Sequence, residues 1–507
     1  MSGLYLLGID NGNTVTKVSL YHVDGSEKYT ASRSAATLVP HTGWAERDMT
    51  MHWRNTAEAI RETIEKSDVQ ASEIIGIGCT GHGNGLYLLD KQKLPFRNAI
   101  QSMDTRAVEI VQRWEQTNLR SRVFPNAPQA FYPAQTVALL AWLRQHEPES
   151  YRNLGSVMLC KDYINFRLTG NLLTDMSDAS SANLIDTING KPSEALLSHF
   201  GIAEMVGAIP PLTQSLDIIG KVTSMAAEET GLAVGTPVIG GMIDCAASSI
   251  GIGVVEPGQI CILIGTWSIN QVIVPQPSWT PDLFLTAPFA DPRYWLLLEG
   301  SATSAANLEW FVTHFGAEER LAAEKRGISP YDICNEAVEN IRPEEATIIY
   351  HPFLYGSHMQ ANASASFFGI SGWHTRAHLL RAVYEGVVFG HLLHIDKLKQ
   401  AGTEFGALRM GGGGARSSVW VQMFADMLQI PAEVPEGRET GTRGAALAAG
   451  IATGVYRDLA EAVKTAVRVT RVHEPNVRNE AVYRARYEQY KMLIGSMQPQ
   501  WDAIHHT

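Results

Sequence analysis

The sequence predicts an α/β protein of two related domains, on three observations. Short apolar runs alternate with amphipathic helical patterns along the chain, as expected of helices packed on a sheet. A strand–turn–strand stretch rich in Asn, Thr and Gly opens the chain, and a second with similar ingredients recurs near its middle. At 507 residues the chain is also longer than one hydrophobic core supports.

Taken in order, the apolar runs at 5–9, 74–79, 238–239, 260–264, 294–298 and 407–410 read as buried strands. The first leads into "IDNGNTVTK", where an Asn-Gly pair between two strand-like runs predicts a hairpin. In "MHWRNTAEAIRETIEKSD", Trp53, Ala57, Ile60 and Ile64 recur at spacings of three and four, one apolar helix face, leaving Arg54, Glu58, Arg61 and Glu65 for solvent. "SSVWVQMFADML" is a further helix, with Ser417 as its N-cap. The second strand–turn–strand stretch begins at Gly240 and contains Asp244 and a strand ending in Gly265 and Thr266. This duplication predicts a boundary near residue 245, with one domain over 1–245 and another over 246–507, joined without a low-complexity linker.

Composition narrows the function. Hydrophobic residues make up 45% and charged residues 18%, ordinary values for a soluble globular chain. The net charge of -11 argues against nucleic acid and anionic membrane as partners, since both need a basic surface. It leaves room for a phosphate ligand, because backbone N–H groups can bind one in an acidic protein. The five cysteines are scattered with no CxxC pair, so neither a disulfide framework nor a zinc site is expected, and a reducing cytoplasmic setting fits. "MSGLYLLGID" lacks the basic segment of a signal peptide, no apolar run reaches the roughly 18 residues of a membrane span, and the closing "HHT" reads as a surface tail.

The chemistry is carried by turns. No GxxxxGK[ST] loop occurs, no GxGxxG follows the first strand, and neither HExxH nor GxSxG appears, which leaves metalloproteases and serine hydrolases without support. Three separated turns are friendly to phosphate: "DNGNTVTK", "IGTWS" and "MGGGGARSS". Glycine lets backbone approach a ligand, and a helix N-terminus favours anions. Each turn alone is equally well explained as ordinary turn chemistry; three turns with two loop aspartates fit a nucleotide. Phosphoryl transfer needs positioned phosphates, neutralised charge and a base near the acceptor hydroxyl. Asp10 suits Mg²⁺ beside the phosphates, and Asp244 suits the proton acceptor, a role compatible with its also capping the helix that follows.

These residues resemble the FGGY family of carbohydrate kinases, over nearly the whole chain. "GIDNGNTVTK" is similar to the family's first phosphate motif, with Asn13 in place of a threonine and Lys17 in place of an arginine. "IGGMIDCAAS" resembles the segment with the catalytic aspartate, "IGTWS" the second phosphate motif and "MGGGGARSSVWVQMFADML" the adenosine motif. In "ASFFGISGWHTRAHLLRAVYEG", Ala365, Phe367, Gly369, Ile370, His378, Leu379, Ala382, Val383, Tyr384 and Glu385 satisfy one long family signature. The other is met only in part: Trp142 and Leu143 fit, but Leu139 stands at its usual lysine.

The resemblance implies two ribonuclease-H-like domains of the hexokinase/actin type, with ATP and sugar in an interdomain cleft, and ATP and Mg²⁺ as cofactors. It implies Asp244 as catalytic base and Asp10 at the metal. It assigns Asn11, Gly12, Asn13, Thr14 and Lys17 to the first phosphate site, Gly265 and Thr266 to the second, Gly413, Gly414 and Ser417 to adenosine, and Ala305 and Glu309 to the ribose and base side. "GIGCTGHGNGLYLLD" matches the loop that grips the polyol. Glycerol kinase carries an Arg-Glu pair there and xylulokinase a Met-His pair; Gly83 and Asn84, beside His82, replace them and suit a larger neutral ligand. Asp104, near Arg106, is a further acceptor contact or else a structural partner of that arginine. The wording of several segments is closest to bacterial L-xylulose (3-keto-L-gulonate) kinases, so a pentulose is the expected acceptor. Erythritol, a pentitol, gluconate and glycerol are the alternatives, and a non-catalytic actin-like ATPase is the rival from another class. A homodimer is a family-level expectation only.

Overall fold

The opening run forms β1 (Tyr5–Asn11), which turns back as β2 (Val15–His22) with Asp10 opposite Lys17 and Asn11 opposite Thr16. The expected hairpin therefore forms, but the Asn-Gly pair is not its tip. Asn11 still belongs to the strand, and residues 12–14 make the turn without a positive φ angle. The left-handed two-residue turn that Asn-Gly usually signals is absent there.

The computed structural model describes residues 3–357, 359–360 and 362–505; His506 and Thr507 of the closing tail lie outside them. The chain divides into two compact units. Unit 1 comprises Met1–Glu256, Ile273–Leu297 and Glu439–Arg468; unit 2 comprises Pro257–Val272, Leu298–Arg438 and Val469–Thr507. Two segments that follow residue 256 thus return to unit 1, which a single boundary near residue 245 does not anticipate.

In unit 1, β2 pairs antiparallel with β3 (Glu27–Ser34), and α1 (Met49–Ser67) follows. Its Trp53, Ala57 and Ile60 are buried and its Arg54, Glu58, Arg61 and Glu65 exposed, as the spacing predicts. β4 (Ile74–Gly81) then lies parallel to β1. Further on come α2 (Cys160–Thr169), α3 (Met176–Ser181), β5 (Ile218–Lys221), β6 (Pro237–Ile239), β7 (Met242–Ile243) and α4 (Asp244–Ile252). The sheet order is β5-β6-β4-β1-β2-β3, with β7 also parallel to β4. Leu6, Leu7, Ile9 and Ile77 on its central strands are fully buried, which accounts for the uninterrupted apolar runs.

The second sheet repeats this plan around β8 (Gln259–Ile264), which hairpins into β9 (Ser268–Val274). β10 (Leu285–Pro288), β11 (Trp295–Ser301), α5 (Ala306–Phe315), α6 (Arg376–Gln400), β12 (Ala407–Gly411), α7 (Ser418–Leu428), β13 (Ala432–Pro435) and β14 (Val469–His473) follow. The order is β10-β11-β9-β8-β12-β13-β14, with β8, β12 and β13 mutually parallel and β14 antiparallel to β13. The parallel core, the antiparallel hairpin on one side of it and the antiparallel strand on the other match the first sheet, apart from the extra edge strand β10 in the second and β7 in the first, so the duplication read in sequence is a duplication of topology. The unit-1 helix α8 (Thr440–Ala452) is made of small residues for a reason. A Cβ on Gly8 would overlap the Thr442 carbonyl and one on Gly78 the Ala445 carbonyl, while a Cβ on Gly444 would overlap the Ala247 carbonyl of α4. Helix and strands touch through backbone.

Candidate active site

In unit 1 the register decides what meets what. Asn11 lies beside Gly81 and Gly81 beside Ile243, all on parallel strands, so β1, β4 and β7 end at one edge of the sheet. The carboxyl ends of parallel strands are where α/β sheets place ligands. Here they deliver the Asp10 turn, the His82–Asn84 loop and Asp244 to one place.

Asp244 is the first residue of α4, and its Oδ1 accepts the Cys245 N–H at 2.7 Å. Burial pushes its pKa up to about 6, against the pull of that hydrogen bond. Asp10 is pushed up to about 7, first by burial and then by the negative charge of Asp244, with Lys17 acting in the opposite direction. Among the described residues no hydrogen bond reaches the Asp10 carboxylate. A Cβ on Gly441 would collide with its Oδ2, so the glycine keeps that oxygen clear. Lys17 forms an ion pair with Glu439 at 2.6 Å. Among the described residues no group of three or more metal-ligating side chains occurs. One open carboxylate suits magnesium, which keeps several waters and takes most of its remaining ligands from phosphates.

The turn itself is braced. Arg47 Nη2 donates to the Gly12 carbonyl at 3.0 Å and to the Asn13 carbonyl, Gln101 Nε2 donates to the Asn13 carbonyl at 2.8 Å, and Asn13 Nδ2 donates to Ser102 Oγ at 2.8 Å. Thr14 is exposed at the tip. Asn11 is fully buried, and its Oδ1 accepts from Thr16 Oγ1 at 3.0 Å and Thr56 Oγ1 at 3.1 Å. Its side chain shapes the hairpin and is not free for a phosphate. Nothing in the local sequence marks Arg47 or Gln101 as braces; "ETGTRG" around Gly441 is the one missed segment that carried a glycine signal.

The acceptor loop joins the same edge, since the His82 N–H donates to the Asn11 carbonyl at 3.0 Å. His82 Nε2 lies 3.0 Å from the Tyr87 hydroxyl, and burial lowers the imidazole to about 3. A Cβ on Gly83 would strike Ile243 Cδ1, so any larger residue there requires the end of that side chain on β7 to turn aside. Asn84 takes the left-handed conformation, φ 61°, and its Oδ1 accepts the Thr136 N–H at 3.4 Å. Tyr132, which sequence reasoning missed, lies close enough to feel both Asp244 and Asp178. Asp104 is a correction. Its side chain is fully buried, and its oxygens accept from the Ala45 N–H at 2.7 Å, the Arg106 N–H at 2.8 Å, Arg106 Nε at 3.0 Å and Arg106 Nη2 at 2.9 Å. Of its two readings, the structural partner of Arg106 is the one realised.

Unit 2 gathers its own set. β8 and β12 are parallel with Leu263 beside Gly411, so Gly265 and the Gly412 loop leave from one edge. The Gly265 carbonyl accepts the Ala305 N–H at 2.9 Å, which brings the start of α5 to the same place. Thr266 is exposed in the turn, as are Gly413 in its loop and Glu309 on the first turn of α5. Gly414 is buried against Ile264, where a Cβ would not fit. Ser417 caps α7 as predicted, accepting the Trp420 N–H at 3.2 Å, and also donates to Asn335 Oδ1 at 2.7 Å. Its hydroxyl is thus engaged in holding the loop. The five cysteines are all free, and among the described residues no helix is long and apolar enough to cross a membrane.

Comparison with known proteins agrees with this geometry. Models of the FGGY family of carbohydrate kinases match the chain twice, the N-terminal domain over residues 5–251 and the C-terminal domain over residues 260–453. An L-xylulose/3-keto-L-gulonate kinase from Escherichia coli K12 is 36% identical over 495 residues, covering 97% of each chain. A xylulose kinase from Bacillus subtilis is 28% identical, covering 96% of each. The crystal structure of a xylulose kinase from Rhodospirillum rubrum superposes with a TM-score of 0.89 at 26% identity, covering 98% of this chain and all of the other. That of a gluconate kinase from Lactobacillus acidophilus gives 0.90 at 23%, covering 99% of each, a likeness of fold.

Proposed function

Because the chain belongs to the FGGY family of carbohydrate kinases, and so is a phosphotransferase that uses ATP on a sugar hydroxyl, we propose that its acceptor is a neutral pentulose such as L-xylulose and that Asp244 is the base. The observation that carries this is the shared edge of β1, β4 and β7, which brings the half-buried Asp244 and the glycine–amide acceptor loop, Gly83 and Asn84, to one end of the sheet.

Each group has a role. Asp244 takes the proton of the attacking hydroxyl as the phosphoryl group transfers. His82 and Asn84 border the acceptor, and Gly83 leaves it room. Asp10, held open by Gly441, binds Mg²⁺, which neutralises phosphate charge when bound. Within unit 1, the Gly12–Thr14 turn, with Thr14 exposed at its tip, and Lys17 are assigned to phosphate. Within unit 2, Gly265 and the exposed Thr266 are assigned to phosphate, Gly413 and Gly414 to adenosine, and Ala305, bonded to the Gly265 carbonyl, with the exposed Glu309 to the ribose and base. The domain assignment stays as a division of roles, with acceptor handling in residues up to 245 and nucleotide contacts mainly beyond. The net charge of -11 and the five free cysteines suit a cytoplasmic enzyme without nucleic-acid or membrane partners.

The test is ADP release with L-xylulose, D-xylulose, 3-keto-L-gulonate, erythritol, a pentitol, gluconate and glycerol at matched concentrations. A ketopentose is expected to give the highest kcat/KM. A preference for a sugar acid or glycerol, or ATP turnover independent of any acceptor, would contradict the proposal.

A further inference from the structure

Lys161, on α2, is fully buried with three carboxylates around its ammonium: Asp162 at 2.5 Å, Asp175 at 2.8 Å and Asp178 at 3.4 Å. Desolvation works against its charge, but the carboxylates prevail and hold its pKa well above the usual lysine range. A buried ion cluster is poor evidence of stability for its own sake, so what it organises is the informative question.

Asp175 is the hub of that cluster. Its Oδ2 accepts the Ser177 N–H at 2.9 Å, Ser177 Oγ at 2.6 Å and Ser215 Oγ at 2.8 Å. Ser177 Oγ, with its proton given to Asp175, accepts the Ile243 N–H at 3.2 Å. The Ser215 carbonyl accepts the Gly241 N–H at 3.0 Å, and Asn165 Nδ2 donates to the Gly240 carbonyl at 2.9 Å. The Gly240 N–H also donates to the Asp217 carbonyl at 2.9 Å, and Thr80 Oγ1 donates to the Met242 carbonyl at 2.7 Å. The backbone from Gly240 to Ile243 is thereby held at five points, and the Ser177 bond to the Ile243 N–H is the one nearest Asp244. That grip is tight at Gly241, which has φ 73° and where a Cβ would overlap the Cys79 carbonyl.

We propose that Ser177 is a positioning residue for Asp244: anchored by Asp175 and Lys161, it fixes the Ile243 peptide and with it the direction of the carboxylate. This rests on the reading of Asp244 as base. The Ser177 hydroxyl is suited to the task because it donates to one partner and accepts from another, a combination that alanine loses altogether and threonine keeps. Losing it leaves the buried Ile243 N–H without its acceptor, and a misplacement of the order of an ångström at a reacting group costs about 100-fold.

The experiment compares Ser177→Ala, Ser177→Thr, Asp244→Asn and the Ser177→Ala/Asp244→Asn double variant for kcat, both KM values and urea midpoint. Ser177→Ala is expected to lower kcat roughly 10- to 100-fold with both KM values little changed, and Ser177→Thr to restore most of it. In the Asp244→Asn background Ser177→Ala should cost nothing further, since no base remains to be aimed; a merely structural effect would add. Should Ser177→Ala not fold, Ser177→Cys, which keeps the volume and weakens the hydrogen bond, takes the same measurements. Wild-type kcat in Asp244→Asn overturns the base assignment and this inference with it. Loss in Asp244→Asn with none in Ser177→Ala, or equal losses in both backgrounds, overturns this inference alone.

Discussion

Asp244 and His82 share one edge of one sheet, and burial moves them in opposite directions. Removing water disfavours whichever form is charged, so the carboxyl rises to about 6 and the imidazole falls to about 3. A base is most useful when its pKa lies near the working pH, which favours Asp244; His82 is a poor proton acceptor and is already engaged with Tyr87. On the proposal that it holds magnesium, Asp10, pushed up to about 7, must also be ionised. Both carboxylates are in the useful form above their pKa values and lose it as pH falls. The kcat/KM of the free enzyme is therefore expected to fall below about pH 7 and, under about pH 6, to approach a two-proton slope. His82→Gln should leave this acid limb where it is, whatever it does to acceptor KM. A limb that disappears in His82→Gln and survives in Asp244→Asn would assign the base to the histidine.

Among the elements, α8 has two kinds of glycine. Gly444 meets backbone, the Ala247 carbonyl, whereas Gly441 meets the movable end of the Asp10 side chain. Backbone cannot step aside without parting α8 from α4, so Gly444→Ala is expected to destabilise the protein by about 1–3 kcal/mol, read as a lower urea midpoint. Gly441→Ala should keep its midpoint but turn the Asp10 carboxylate away, raising the magnesium needed for half-maximal rate by on the order of tenfold. Equal loss of stability in the two variants, with unchanged magnesium dependence in Gly441→Ala, would show that Gly441 matters only to packing. The helix also shows where sequence patterns stop. Strands and α1 were legible because their apolar spacing is set locally. The small residues of α8 declare that something packs closely, but not that it is β1, β4 and α4, because those partners come from distant parts of the chain.

At the scale of the whole molecule, the repeated strand order explains why two turns with similar wording could be read as one device used twice. Local motifs located the ends of β1, β8 and β12 and the cap at Ser417. They did not show that Asn11 and Ser417 have their side chains tied into structure, that Asp104 is saturated by Arg106 and Ala45, or that Lys161 and Asp175 brace the segment before Asp244. Each of these depends on a partner brought close only by folding, and a side chain's type does not reveal whether its hydrogen bonds are already made. The return of Ile273–Leu297 and Glu439–Arg468 to unit 1 is another long-range fact of this kind. The most direct measurement is acceptor-dependent ADP formation by Asp244→Asn at saturating ATP and L-xylulose, beside the ATP dissociation constant of the same variant. Loss of a positioned base should lower kcat by about 10²–10⁴-fold while ATP binds nearly as before; a kcat close to wild type, or a loss traced wholly to ATP affinity, would contradict the assignment of Asp244.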